Sequence, residues 1–327
     1  MDQENIKIRN IGVLTSGGDA PGMNGAIRAV VRAGINSGYR VYGVRRGFHG
    51  LWRGDYEEMN TRSVSEKLQR GGTFLMTARS KTFNTPEGVA KAVEMCKIFD
   101  INAIVTIGGD GTMRGARDLS QAGIPVICLP GTIDNDIGCS EYTIGYDTAM
   151  NTAMSLIDKL RDTASSHERC SVIEVMGRKA GYIALNVGIA TGAEVILVPE
   201  VPYDFNKHVI KSILEGRNLG KRHSIVVVAE GAGSATDIAE KIEASTGIET
   251  RPTILGHVQR GGSPTLRDRL VASLMGSRAI DCLSEGRLNR VIACQLGEVV
   301  DLDLEEAMKQ TKTITREDLV RARRLAF

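Results

Sequence analysis

Short apolar runs rich in β-branched residues recur along the chain, each followed by a stretch with helical spacing. This alternation limits the fold more than any other feature. "IGVLTS" (11–16) leads into a predicted helix from about Met23 to Asn36, and "YRVYGV" (39–44) reads as the next strand. "EGVAKAVEMCKIFD" (87–100) has the apolar spacing of a helix and ends at the strand "AIVTIGG" (103–109). A helix near 112–122 and the strand "PVICLP" (125–130) follow. "SVIEVM" (171–176), "AEVILVP" (193–199) and "SIVVVAEG" (224–231) are later strands, each leading into a helical segment. Strands apolar on both faces and separated by helices mark parallel βαβ units with helices covering the sheet on both sides. The expectation is an α/β protein with two mostly parallel sheets. The 327 residues suit two domains at roughly 100–200 residues each. No low-complexity linker is present, so the breaks must be tight, near Ile144–Met150 and near His257–Gly262.

Composition narrows the function classes. A hydrophobic content of 42% and a charged content of 24% allow a large core. A formal net charge of +2 gives no argument for nucleic acid or a membrane surface. The basic end "RARRLAF" (321–327) has helical spacing and reads as a solvated helix face. Cys96, Cys128, Cys139, Cys170, Cys282 and Cys294 form no CxxC pair and do not cluster with histidine, so a reducing cytoplasmic setting is expected. The start "MDQENIKIRN" is polar and unlike a secretory leader. No apolar run approaches the ~20 residues of a membrane helix.

The loops after the strands carry the chemistry. In "LPGTIDNDIG" (129–138) an apolar strand ends in Pro130-Gly131 and then presents Thr132, Asp134, Asn135 and Asp136. Two carboxylates so close repel each other, so the loop is expected to hold something with them. "TIGGDGTMRG" (106–115) places Gly108, Gly109 and Gly111 where a strand hands over to a helix. Bare N–H groups at a helix start attract phosphate. Asp110 inside that nest suits Mg²⁺, which takes a few carboxylate oxygens together with phosphate oxygens. "TSGGDAPGMNGAIR" (15–28) repeats the pattern with Gly17, Gly18, Gly22 and Gly25, and Pro21 is expected in the first helical turn. The echo of "VLTSGGDA" (13–20) in "VTIGGDGT" (105–112) predicts two loops side by side at the strand ends, where open parallel sheets bind ligands. The phosphate loop GxxxxGK[ST] is absent, and so is a dinucleotide GxGxxG after the first strand, which argues against a nicotinamide dehydrogenase.

These parts fit phosphoryl transfer, in which a protein mainly positions groups and stabilises charge. One carboxylate can accept the proton of the attacking hydroxyl, others can lie near a metal, and Thr132 can touch the moving phosphoryl group. Arg79, Arg169, Arg178, Arg251, His257 and Arg260 fall in Gly- or Ser-rich loops after strands. Arginine binds phosphate bidentately, and a phosphate donor with a phosphorylated acceptor requires several.

"TSGGDAPGMN", "GGTFLMTARS", "IGGDGT", "PGTIDND", "SSHER", "EVMGR", "VAEG" and "RPTILGHVQRGG" occur in the order typical of the 6-phosphofructokinases. The chain resembles the bacterial ATP-dependent branch of that family over nearly its whole length. The resemblance implies a Rossmann-like three-layer sandwich in each domain: residues 1–145 with about 258–309 for ATP, and 146–257 with about 310–327 for fructose 6-phosphate. It implies transfer of the γ-phosphate of ATP to the sugar 1-hydroxyl, with Mg²⁺ as cofactor. Gly18, Arg79, Ser80, Gly109, Asp110, Gly111 and Thr112 would bind ATP, with Asp110 reaching the metal. Asp134 would be the base, assisted by Thr132, Arg178 and Arg79, with Ile133 beside it. Met176, Gly177, Glu230 and His257 would hold the sugar, with Val258 and Gln259 beside them. Arg169, Arg251 and Arg260 would hold its 6-phosphate. In the family the first two reach a neighbouring subunit's site, so a homotetramer is implied.

Donor choice has a local signal. Pyrophosphate-using relatives carry bulk where this chain has Gly111 and Gly131, so both bare positions favour ATP. The alternatives are a pyrophosphate-dependent enzyme and a non-catalytic nucleotide-sensing subunit. The resemblance also implies an effector site for ADP or phosphoenolpyruvate, matched here by Arg28, Arg32, Arg161, Gly192, Glu194, Lys221 and His223. Thr61 and Leu219 stand where well-known members carry basic residues, which weakens the pull on a polyanion.

Overall fold

The computed structural model describes residues 8–78, 80 and 82–326. The chain divides into two compact units, a larger one, Met1–Asp147 with Arg260–Lys312, and a smaller one, Thr148–Gln259 with Thr313–Phe327. In the larger unit β1 (Asn10–Thr15) runs into α1 (Met23–Asn36), β2 (Arg40–Val44), α2 (Gly47–Arg53) and β3 (Tyr56–Met59). Then come α3 (Pro86–Ile98), β4 (Ala103–Gly108), α4 (Asp110–Gln121) and β5 (Val126–Pro130). Helix α5 (Tyr146–His167) begins at the end of the larger unit and leads into the smaller one. There β6 (Cys170–Val175), α6 (Tyr182–Ala190) and β7 (Val195–Leu197) precede a π-helical turn, Phe205–Ile210, that merges into α7 (Lys211–Asn218). β8 (Ser224–Ala229), α8 (Ala235–Thr246), β9 (Thr250–Ile254) and a 3₁₀ turn, Gly256–Arg260, follow. The chain returns to the larger unit with α9 (Leu266–Ser284), β10 (Arg290–Gln295), β11 (Glu298–Asp303) and α10 (Leu304–Lys309), and ends on α11 (Arg316–Ala326) in the smaller.

Both units are α/β. The larger sheet has the order β11-β10-β5-β4-β1-β2-β3 and the smaller β7-β8-β6-β9. Every residue of β1, β4 and β8 is buried, as expected for strands covered on both faces. The smaller sheet is parallel throughout. The larger sheet is parallel inside and antiparallel at its edges, β3 and β11. The apolar alternation missed both edges for a physical reason: "YEEM" (β3) is mostly polar, and β11 is only half-buried. β10 and β11 form a hairpin whose turn residues Leu296 and Gly297 both have positive φ, 51° and 81°, the geometry that matches strand twist. β9 carries Pro252, which lacks a ladder donor and suits an edge strand.

The strand order reverses between β1 and β4, which pair in parallel. Their following loops therefore open on one crevice, the usual ligand position in such sheets. Ser16 N–H donates to the Ile107 carbonyl at 3.0 Å, and Thr112 Oγ1 donates to the Ser16 carbonyl at 3.1 Å. α1 starts after Gly22, whose φ of 106° no helix accepts, so Pro21 lies ahead of the helix and not in its first turn. Stacked Phe48 and Phe83 sit in the larger core. Among the described residues no helix is long and apolar enough to cross a membrane.

Candidate active site

The two glycine loops are packed backbone to backbone. A Cβ at Gly108 would lie 2.5 Å from the Ser16 carbonyl oxygen and would collide with Thr112 Oγ1. α4 starts on Gly109 in extended conformation and α1 on Gly22, neither with a side-chain cap. By contrast Ser234 and Thr265 cap α8 and α9 with their hydroxyls. Asp110 is the first residue of α4, where the helix dipole favours a carboxylate. Arg114, one turn on, pairs with it at 2.5 Å; sequence reasoning did not single out this cation. Thr77 Oγ1 donates to the Gly17 carbonyl at 2.7 Å. Ser80 Oγ accepts from Phe83 N–H at 3.1 Å. Arg79 lies outside the described residues. Arg260 Nη1 donates to the Asp19 carbonyl at 2.9 Å, and its guanidinium fills the space a side chain at Gly18 would need.

Gly111 and Gly131 differ. The nearest atom to a Cβ at Gly111 is Arg114 Nη2, 4.0 Å away, so the position is open. A Cβ at Gly131 would press on Ile107 Cγ2 at 3.0 Å and Met23 Cε at 3.3 Å. A Cβ at Gly131 thus starts against core methyl groups, unlike one at Gly111. The donor argument rests on Gly111.

The loop after β5 is closed on itself. Gly131 and Ile144 bridge its ends, and Ile144 N–H donates to the Pro130 carbonyl at 2.9 Å. Thr143 Oγ1 donates to the Thr132 carbonyl at 2.6 Å. Asn135, held at φ 51°, donates through Nδ2 to the Glu141 carbonyl at 3.1 Å. Asp134 N–H donates to Thr132 Oγ1 at 3.2 Å. Thr132, Ile133, Asp134 and Asn135 are buried, Asp134 being 5% exposed, while Asp136 points to solvent. The two carboxylates that repel each other in sequence are thus split between inside and outside. Asp268, fully buried on α9, accepts from Tyr142 Oη at 2.8 Å and from Gly145 N–H at 2.7 Å. Burial and the Asp268 charge push the Tyr142 phenol up.

In the smaller unit two of the expected arginines meet on one carboxylate: Arg169 lies in the loop before β6, while Arg251, expected in a loop, lies on β9. Glu249 pairs with Arg169 at 2.8 Å and with Arg251 at 2.5 Å. The Arg169 guanidinium, with Arg251 adding to it, holds the Glu249 carboxyl below the usual carboxylate range. Sequence reasoning missed Glu249, although "IETRP" sets it two residues before Arg251. Glu230 Oε1 accepts from Gly177 N–H at 3.1 Å and Arg178 N–H at 2.6 Å. It fixes a turn in which Gly177 and Arg178 both have positive φ, 144° and 60°. Strain of that kind at a non-glycine residue costs of order 1–3 kcal/mol and collects at functional sites. Buried Gln259 accepts from Met176 N–H through Oε1 at 3.0 Å, while His257 and Val258 are exposed beside it.

The expected effector residues fall in both units. Arg28 and Arg32 lie on α1, and burial with the Arg32 charge lowers Arg28. In the smaller unit Arg161 donates to the Thr191 carbonyl beside Gly192. Lys221 bridges Glu194 Oε1 at 2.8 Å and the Ala326 carbonyl at 2.6 Å. His223 immediately precedes β8, and Leu219 is 71% exposed. A cavity of about 250 Å³ lined by β7, α11 and the π-helical turn takes in Glu194 but none of the expected catalytic or substrate residues.

Among the described residues no three or more His, Cys, Asp or Glu side chains are grouped to hold a metal ion. Asp110, half-exposed at an uncapped helix start, supplies one carboxylate. That donor set fits a cation arriving with phosphate oxygens and does not fit an all-protein cage.

Residues 10–283 match the family model described as phosphofructokinase. The chain is 54% identical over 301 residues to the ATP-dependent 6-phosphofructokinase of Clostridium tetani, covering 92% of this chain and 94% of that one. It is 53% identical over 301 residues to the protein of the same name from Alkaliphilus metalliredigens, with coverage of 92% and 94%. The solved structure of phosphofructokinase from Saccharomyces cerevisiae superposes with a TM-score of 0.86 at 36% identity over 92% of this chain, which spans 45% of that chain's length. A pyrophosphate-dependent phosphofructokinase from Marinobacter aquaeolei gives a TM-score of 0.85 at 22% identity, covering 95% of this chain and 86% of that one, a likeness of fold.

Proposed function

The chain belongs to the phosphofructokinase family, and on that premise we propose that it transfers the γ-phosphate of ATP to the 1-hydroxyl of D-fructose 6-phosphate, giving fructose 1,6-bisphosphate and ADP. The observation that carries this reading is the closed loop after β5, which buries one carboxylate, Asp134, beside Thr132. Asp134 takes the proton of the 1-hydroxyl as that oxygen bonds to the γ-phosphorus, and the bond to the β-phosphate oxygen breaks to release ADP. Thr132 and Arg178 meet the transferring group. The nucleotide lies along the paired glycine loops of the larger unit, at Gly18, Gly109, Gly111 and Thr112, with Arg79 and Ser80. Asp110 would be the carboxylate that holds a Mg²⁺ bound with the nucleotide, and the cation would supply neutralisation of phosphate charge. Open space at Gly111 supports ATP over pyrophosphate as donor.

The smaller unit supplies the acceptor's ligands. Met176, Gly177, Glu230 and His257 hold the sugar, flanked by Val258 and Gln259. Arg169 and Arg251 bind the 6-phosphate, with Arg260 as a further cation. We assign Arg169 and Arg251 to a neighbouring subunit's site within a homotetramer. Arg28, Arg32, Arg161, Gly192, Glu194, Lys221 and His223 would form a nucleotide or phosphoenolpyruvate effector site, weakened at Thr61 and Leu219. The test is direct: purified protein, fructose 6-phosphate and either ATP or pyrophosphate, with the bisphosphate quantified. ATP is expected to give product. Product with pyrophosphate and none with ATP sinks the donor assignment, and product with neither sinks the reaction.

A further inference from the structure

The loop after β5 (131–145) holds three carboxylates, Asp134, Asp136 and Glu141, and no Lys or Arg of its own. Asp134 is turned inward, Asp136 is outward and Glu141 follows in the same loop. The compensating cation comes from far along the chain. Half-buried Lys312 donates from Nζ to the Ser140 carbonyl at 2.6 Å. Burial lowers the Lys312 ammonium to about 8, and the pull of Asp136, Cys139 and Glu141 opposes that. The backbone ahead of it is pressed onto the same loop: a side chain at Gly138 would collide with the Gln310 carbonyl and lie 2.7 Å from Thr311 Cα. The loop is pinned on the other flank as well. Cys294 N–H donates to Ser140 Oγ at 2.9 Å, and Gln295 Nε2 donates to the Cys139 carbonyl at 3.0 Å. Residues 310–312 therefore form a strap behind the catalytic loop, with a charge at its end. An ammonium taken partly out of water is unfavourable unless opposite charge is near, and a neutral donor could serve the Ser140 carbonyl without that cost.

We propose that Lys312 is a positioning residue for the reaction: its charge, anchored on the Ser140 carbonyl, offsets Asp136 and Glu141 and keeps the loop where Asp134 can take the substrate proton. The proposal rests on the reading of Asp134 as the base. It assigns Lys312 an action through the loop backbone at Ser140, so its signature lies in kcat. Lys312→Gln keeps a donor for Ser140 and removes the charge; Lys312→Arg keeps the charge.

The experiment measures kcat, KM for both substrates and the thermal midpoint for the full-length protein, for each variant, and for Lys312→Gln in the Asp134→Asn background. A misplacement of about 1 Å can cost on the order of 10²-fold in rate. Lys312→Gln is expected to lower kcat roughly ten- to a hundred-fold with both KM values and the thermal midpoint nearly unchanged. Lys312→Arg is expected to recover most of kcat. In the Asp134→Asn background Lys312→Gln is expected to add no further loss, because residues acting through one group are not additive. Full kcat in Lys312→Gln overturns the proposal. So does an equal loss in Lys312→Arg, or a loss in Lys312→Gln that persists undiminished in the Asp134→Asn background. Absence of bisphosphate from the wild-type protein is a different failure and overturns the functional reading itself.

Discussion

The loop after β5 and the arginine-bearing edge of the smaller sheet, to which we assign the base and the phosphate ligands, are held by opposite means. The loop is buried and stitched by backbone hydrogen bonds, with Asp268 and Lys312 reaching into it from elsewhere in the larger unit. Arg169 and Arg251 are partly exposed, and one surface carboxylate, Glu249, gathers them. The difference follows from the tasks. A general base must be held within a fraction of an ångström of its proton, so its surroundings must not exchange. A phosphate-binding guanidinium must exchange one anion for another, so a single weak, solvent-screened pair suits it.

The largest expected break falls on the buried side. Asp134→Asn keeps the shape of the side chain and removes the proton acceptor. Turnover should fall about 10²–10⁴-fold, the usual cost of losing a general base, with both KM values near wild type. Steady-state assays check this, and a variant that keeps a third or more of wild-type kcat contradicts the assignment.

Next comes the exposed side. Arg169→Ala and Arg251→Ala should each raise the fructose 6-phosphate requirement by about ten- to a hundred-fold, from roughly 1.5–3 kcal/mol per charged hydrogen bond. The ATP requirement should change little. If these arginines serve a neighbouring subunit, an inactive Asp134→Asn chain co-assembled with an inactive Arg169→Ala Arg251→Ala chain should regain activity. Hybrids that demonstrably form and stay inactive show that each chain builds its own pocket.

How much of this was legible in the sequence follows the same division. α1 was readable as about Met23–Asn36 from its apolar spacing, although Pro21, expected in its first turn, lies ahead of it. β3 and β11 were not, because an edge strand has no reason to be apolar on both faces. The glycine and aspartate loops stood out because their unusual residues are consecutive. Asp268, Lys312 and Glu249 did not, for two physical reasons. Asp268 meets Tyr142 across 126 positions and Lys312 meets Ser140 across 172, and a lone charge gives no sign of so distant a partner. Glu249 is a near neighbour of Arg251, but an acidic residue beside a basic one reads as ordinary surface. Gly131 shows the converse. Its place in the motif was plain, yet whether its missing side chain faces a ligand or the core depends on direction, which only packing reveals.

A smaller effect should separate rigidity from chemistry. Asp268→Asn keeps the Oδ1 that accepts from Tyr142 and Gly145 but removes the buried charge that strengthens both bonds. Loss of about 1–3 kcal/mol of stability is expected, read as a thermal midpoint several degrees lower. An unchanged midpoint means that the loop does not depend on this carboxylate.

The smallest expected effect sharpens the comparison most, because its sign is informative. Glu249→Gln removes the anion that gathers Arg169 and Arg251 but leaves a side chain of the same size. The pairs lie at the surface and are screened by solvent, so the thermal midpoint should not move. If Glu249 is a surrogate that phosphate must displace, its removal lowers the fructose 6-phosphate requirement by a few-fold at most, and ATP is unaffected. If Glu249 instead aims the guanidiniums, the same substitution raises that requirement, because two long side chains must then be ordered by the substrate alone. The surrogate reading is the one expected. Both arginines converge on a single carboxylate, as they would on a single phosphate, and at 40% exposure that carboxylate is open to exchange with a dissolved anion. A raised requirement in Glu249→Gln, with an unchanged midpoint, would reverse the assignment and make the exposed edge as preorganised as the buried loop.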